Sequence, residues 1–124
     1  MIDHVSIGVR DLAAAKAFYG KVLAEIGYEI LDDRAETVGF GKKYSDFWLN
    51  ARPQLPTDVE TGVHVCMRTR TKDHVDAFYD TALQHGARCY GTPGLRPQHG
   101  KGYYAAFIKD ADGNVVEVVT FLDE

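Results

Sequence analysis

The apolar positions of this chain change period several times, and the changes mark out its elements. From Ile2 to Val9 they alternate: Val5, Ile7 and Val9 point one way, while Ile2, His4, Ser6 and Gly8 point the other, as in a strand with one apolar face. From Leu12 the spacing becomes helical. Leu12, Ala15, Phe18, Tyr19, Val22 and Ile26 share a face, Asp11 is placed to cap the free N–H groups of the first turn, and Gly27 supplies the stop. Residues 28–31, 37–41 and 46–50 return to strand, so residues 1–50 read β-α-β-β-β.

Residues 51–61 hold two prolines among mixed polar residues and read as a linker. The second half, 62–124, then runs through the same order. Residues 62–69 form a strand, and Thr71 caps a helix whose apolar face is Val75, Phe78, Tyr79, Ala82 and Leu83, ending at Gly86. Residues 88–91 form a short strand. Residues 92–102, with two prolines and three glycines, read as an irregular loop long enough to lie over a site. Strands at 103–109 and 114–121 are joined through Asp110-Ala111-Asp112-Gly113, where Asp-Gly signals a hairpin.

The halves also match residue by residue at a shift of sixty positions. His4-Val5 falls on His64-Val65, Arg10 on Arg70, Ala17-Phe18-Tyr19 on Ala77-Phe78-Tyr79, and Leu23 on Leu83. The expected architecture is therefore one α+β domain of two paired βαβββ modules, forming a curved, cleft-bearing mixed sheet with the helices on its outer face.

Composition narrows the partners. A chain of 124 residues, 45% of them hydrophobic, is one domain that buries roughly two-thirds of its unfolded surface. The net charge of −4 and scattered Lys and Arg lack the basic stripe of a nucleic-acid binder. No apolar run approaches the roughly 18 residues of a membrane span, and the N-terminus lacks the plan of a signal peptide. Cys66 and Cys89 do not make a disulfide framework, so a soluble, reducing compartment, the cytoplasm, is expected.

Three residues stand out chemically. Glu117 lies in Val115-Val116-Glu117-Val118-Val119, and an ionised carboxylate there must be neutral, bonded to donors or facing a cation. His4 and His64 start the twin strands, opposite in parity to the apolar residues that cover the helices. All three therefore emerge on the concave face, where two imidazoles and a carboxylate with open positions would suit Fe(II), Mn(II), Ni(II) or Zn(II). The blander alternative is an ion pair between Glu117 and Arg68. Cys66 reads as a small core residue rather than a nucleophile, and His85 sits where a helix C-terminus favours a cation.

The opening Ile2-Asp3-His4-Val5-Ser6-Ile7-Gly8-Val9-Arg10-Asp11-Leu12 and the closing Asp110-Ala111-Asp112-Gly113-Asn114-Val115-Val116-Glu117 resemble the vicinal oxygen chelate superfamily. That group includes glyoxalase I, bleomycin-resistance proteins, extradiol dioxygenases and fosfomycin-resistance thiol transferases. The likeness spans the chain and is nearest to small bacterial glyoxalase-like proteins of unassigned activity, with Ala111 where the family commonly has proline. It implies metal ligands at His4, His64 and Glu117. The strand 46–50 offers no glutamate for the fourth ligand of glyoxalase I, Asp46 lying too early. It also implies a pocket lined by Trp48, Asn50 and Arg68, with Arg96, His99 and Lys101 reaching in from the loop and Tyr103 or Tyr104 as a catalytic hydroxyl.

Two functions follow from that resemblance. The first is a metal-dependent lyase, isomerase or dioxygenase that chelates neighbouring oxygens of a small-molecule substrate. The second is a bleomycin-resistance-type binding protein that needs no metal. A homodimer is expected, and His4 and His64 of one site could then come from different chains.

Overall fold

Both helices begin where the side-chain caps were expected. Asp11 accepts from the Ala14 N–H at 3.0 Å and Thr71 from the His74 N–H at 3.2 Å. Gly27 and Gly86, at φ +87° and +101°, turn the chain out of each helix through the left-handed region that favours glycine. The computed structural model describes residues 1–56 and 59–122; linker positions 57–58 and the last two residues lie outside that description. The first module comprises β1 (Val5–Val9), α1 (Leu12–Ala24), β2 (Glu29–Asp33), β3 (Thr37–Gly41) and β4 (Ser45–Ala51). The second comprises β5 (His64–Arg68), α2 (Lys72–Gln84), β6 (Arg88–Leu95), β7 (Tyr103–Lys109) and β8 (Val115–Phe121).

The repeat seen in the sequence is a repeat in space. One sheet is ordered β1-β4-β3-β2 and the other β5-β8-β7-β6, each with its first and last strands parallel and the rest antiparallel. Among the described residues no ladder joins the two sheets, so one continuous curved sheet is not made within a chain.

Instead the modules meet through their helices. Thr81 donates to Glu25 at 2.6 Å across the α1–α2 contact, and one core runs through both halves. Tyr19, Phe40, Phe47 and Phe78 are its largest fully buried side chains, and burying each large apolar group contributes roughly 2 kcal/mol. The opposite face of each sheet is turned away from this core. The described residues include no helix long and apolar enough to cross a membrane.

One expectation is corrected. Residues 92–95 are not loop but the end of β6, which runs to Leu95 with register shifts at Cys89/Gly91 and Gly91/Gly94. The bulges absorb the glycines, and Pro93 is tolerated because β6 is an edge strand whose outer N–H groups need no partner. Only Pro97–His99, a single 3₁₀ turn, and the residues around it remain irregular.

A buried polar node locks the modules together. Tyr19 on α1 donates at 2.6 Å to Asp110, 3% exposed in the β7–β8 turn. Asp110 also accepts from the backbone N–H groups of Asp112 and Asn114 and from the Asn114 amide, which in turn donates to the Gly8 carbonyl of β1. Burial pushes the Asp110 carboxyl above its usual range, and these donors oppose the shift. By linkage, this group favours the fold most below its unfolded pKa, and that contribution is lost as pH rises through the folded value. Tyr19→Phe, which removes one donor to this carboxyl, should lower stability by about 1–2 kcal/mol. The check is a fall in the urea midpoint with an unchanged slope; an unmoved midpoint would deny the node its structural role.

Candidate functional site

Strand parity decides which side chains can meet. On β5, Val65 and Met67 pack into the core while His64, Cys66 and Arg68 face the other way. On β8, Val116 and Val118 enter the core and Glu117 lies on the far face with Val115, Val119 and Phe121. The parallel β5–β8 register places Cys66 directly opposite Glu117 and His64 opposite Val115.

Glu117 is only 3% exposed, and its two oxygens have different partners. Oε1 lies 3.1 Å from His64 Nε2, and Oε2 accepts from the Tyr103 hydroxyl at 2.5 Å. Tyr103 enters the β7–β8 ladder opposite Phe121, two residue pairs beyond Ala105 and Val119 and four beyond Phe107 and Glu117. Its ring reaches Glu117 over Ala105, whose small side chain leaves the way clear. Desolvation first, and the hydrogen bond to Glu117 second, hold the Tyr103 phenol well above its usual range, so it is protonated at neutral pH.

Cys66 faces Glu117 and is not in the core as expected, because parity with His64 puts it on the exposed side. Partial desolvation on that face, with the charge of Glu117, pushes its thiol up to about 12, which disfavours the thiolate that a nucleophile needs.

Arg68 does not pair with Glu117. Its guanidinium lies 4.5 Å from the centre of the Phe121 ring, so the sealed-site alternative is set aside. Tyr104 points to the opposite side of β7 from Tyr103 and donates to Asp76 of α2 at 2.6 Å, which takes it out of any cleft on the Glu117 face. Burial and that bond push its phenol up to about 12. The His99 ring stands 5.3 Å from that of Tyr103, and Lys101 is exposed at the hairpin tip. His85 caps the end of α2, its Nδ1 2.9 Å from the Thr81 carbonyl.

Arg96 follows β6 in the second module, whereas His4, Trp48 and Asn50 belong to the first. His4 is exposed beside Asp3, its Nδ1 2.8 Å from the carboxylate. Trp48 and Asn50 lie on the β4 face turned away from the core, Asn50 accepting from Thr37 at 2.7 Å and Trp48 stacked under Arg34 at 5.2 Å. Leu55 and Arg52 rest against Gly8, so the linker crosses this face at the end of β1. Among the described residues of one chain, no three His, Cys, Asp or Glu side chains gather as a metal site, so His4 does not join His64 and Glu117 within a chain.

The duplicated ladders explain the missing fourth carboxylate. Ser6 pairs with Trp48 as Cys66 pairs with Glu117, so Trp48 occupies the place in the first module that Glu117 holds in the second. The ring lies over Gly39, where a Cβ would come within 2.9 Å of Trp48 and 2.5 Å of Ser45 Oγ. Asp46, at the start of that strand, accepts from the Tyr28 hydroxyl instead.

The residues present fit a metal in one respect. Two ligand atoms on a common ion, each bonded at about 2.0–2.2 Å and in cis positions, lie roughly 3 Å apart, and His64 Nε2 and Glu117 Oε1 have that spacing. Reasoning from the sequence missed Phe107, whose ring lies 6.0 Å from that of His64, and Arg34 over Trp48. Parity alone would have found Phe107, two residues on from Ala105 and four from Tyr103.

Comparison with known proteins agrees with the fold. A family model for the glyoxalase/bleomycin resistance protein/dioxygenase superfamily matches residues 1–118. A glyoxalase/bleomycin resistance protein from Albidiferax ferrireducens T118 superimposes with a TM-score of 0.83 at 23% identity, covering 95% of this chain and 96% of the other. A glyoxalase/bleomycin resistance protein/dioxygenase family enzyme from Burkholderia phytofirmans PsJN gives 0.76 at 23% identity, with 98% of each chain covered. The genomically encoded fosfomycin resistance protein of Listeria monocytogenes gives 0.72 at 16% identity, covering 97% of this chain and 92% of the other. No curated protein matches. A twice-used βαβββ unit, matched along nearly its whole length by the family model, places the chain in the glyoxalase/bleomycin resistance protein/dioxygenase superfamily.

Proposed function

We propose that the chain is a metal-dependent enzyme of the lyase, isomerase or dioxygenase kind, acting on a small molecule with neighbouring oxygens. Its site is assembled between two copies in a homodimer. His64 and Glu117 of one copy and His4 of the other would hold a divalent Fe, Mn, Ni or Zn ion. The observation that carries this reading is Glu117 itself: a nearly unexposed carboxylate on the open side of a sheet, spaced from His64 as cis ligands are.

When bound, the ion would supply Lewis acidity to the substrate's oxygens. The chain supplies the rest. Tyr103 holds the outer oxygen of Glu117 and so fixes which oxygen is free. With its one proton given to Glu117, its hydroxyl oxygen would be left to accept a hydrogen bond from the substrate. Phe107 and Phe121 wall the site with apolar surface and limit water. The missing fourth ligand, with Trp48 in its place, would leave coordination positions open for substrate.

A second reading is a metal-free binding protein of the bleomycin-resistance kind. It is supported by the two oxygens of Glu117 each having a partner already. Elemental analysis of protein purified without chelators separates the two. About one ion per chain supports the enzyme; no ion, with quenching of Trp48 fluorescence by ligand, supports the binder.

His64→Ala should abolish metal retention. His4→Ala should do the same in a homodimer, and each mixed dimer formed from the two variants should regain one intact site; full occupancy in His64→Ala would end the proposal. Tyr103→Phe should keep the fold and weaken metal affinity by about tenfold in a chelator competition. An unchanged affinity would mean that Tyr103 does not position Glu117.

A further inference from the structure

Strand β6 contains Gly91-Thr92-Pro93-Gly94, a poor choice for a strand on propensity alone. The space these residues leave is occupied by one side chain. The Arg96 guanidinium folds back over them, Nη2 donating to the Thr92 carbonyl at 2.7 Å and Nη1 to the Gly94 carbonyl at 3.0 Å. A Cβ on Gly91 would stand 3.3 Å from Nη2, and one on Gly94 3.2 Å from Nη1, so a side chain at either place would crowd the group. Phe107 lies beneath, 5.8 Å from ring centre to Cζ. The backbone is tied as well, Arg96 N–H donating at 2.7 Å to the carbonyl of Tyr103.

This seat faces the candidate site. Phe107 pairs with Glu117 on one side and with Gly91 on the other, so Arg96 lies over the same row as Glu117, two strands or about 10 Å away. Among the described residues no carboxylate pairs with Arg96 or with Arg68, whereas Lys109 on the same face has Glu60 at 3.5 Å. Of the five N–H donors of a guanidinium, the two carbonyls take two. The remaining three meet no carboxylate among the described residues. A cation held this firmly on the Glu117 face, with no carboxylate beside it among the described residues, is suited to a planar oxyanion.

We propose that Arg96 is the anion-recognition residue of this cleft and that the substrate is a small carboxylic acid. Its carboxylate lies on Arg96 while its other oxygens face His64 and Glu117. The inference rests on the reading of that face as the active site and adds the substrate class. From the separation of about 10 Å, a hydrogen bond of about 2.8 Å at each end leaves about 4 Å, the reach of some four carbons. A phosphonate or phosphate would meet the same fork, and the experiment separates them.

The test is titration of full-length, ¹⁵N-labelled protein, as purified and again after chelation, following the Arg96 Nε–H resonance. The probes are levulinate (a five-carbon oxo acid), its neutral amide and its phosphonate analogue. Levulinate should shift that resonance and bind at least about tenfold more tightly than the amide, the equivalent of one charged hydrogen bond. Arg96→Lys, which keeps the charge and loses the fork, should weaken levulinate binding by about tenfold, and Gly94→Ala should weaken it in the same direction. Equal affinities for acid and amide, or an unchanged affinity in Arg96→Lys, would overturn the proposal, and tighter binding of the phosphonate would overturn the carboxylate assignment. Because the chelated protein is read separately, loss of the metal reading and loss of this one give different results.

Discussion

A carboxylate set among valines has to be answered by donors, and the second module is arranged around that demand. Leaving Glu117 ionised and unpartnered would cost several kcal/mol. The parallel β5–β8 ladder brings His64 to one oxygen, and the antiparallel β7–β8 ladder, with a small residue at Ala105, lets Tyr103 reach the other. Neither donor is adjacent to Glu117 in sequence. Both arrive through strand register, so a slip of one residue on either side would turn His64 or Tyr103 into the core and strand the charge. The site and the fold of this half are thus specified by the same pairings.

The first module keeps the scaffold and drops the charge. Where Glu117 stands in one ladder Trp48 stands in the other, and the ring lies over a glycine that has no side chain to obstruct it. Duplication supplied two equivalent strand faces, and the two have diverged. One presents an acid with its donors; the other presents an indole under an arginine, with Asn50 and Thr37 bonded to each other beside it. On the proposed two-chain reading, that division gives the cleft polar chemistry on one wall and stacking surface on the other.

Most of this was legible in the sequence because it depends on period and repetition. Alternation placed His64, Cys66 and Glu117 on one face, the Asp11 and Thr71 caps fixed both helix starts, and the sixty-residue shift anticipated two identical sheet orders. What escaped depends on distance across the sheet. The choice between Tyr103 and Tyr104 follows only once the register of β7 on β8 sets which of them shares the face of Glu117. The true extent of β6 was hidden because glycine and proline mark loops on average, whereas here they serve bulges on an edge strand and the seat of Arg96. Cys66 illustrates a different limit. Its residue type argued for the core, while its position argued for the open face, and position prevailed.

How the modules are joined then constrains the site more than either module does. With α1 packed on α2 and Tyr19 anchored in the β7–β8 turn, the outer faces of the two sheets are carried on opposite sides of a shared core. His4 on one and His64 on the other cannot be brought to a common ion without giving up the buried Tyr19–Asp110 bond and the continuous core between the helices. A second copy of the chain avoids that cost, since it offers the complementary face without moving anything. On the proposed reading, the contacts that make the monomer stable are therefore also the reason its site would need two chains.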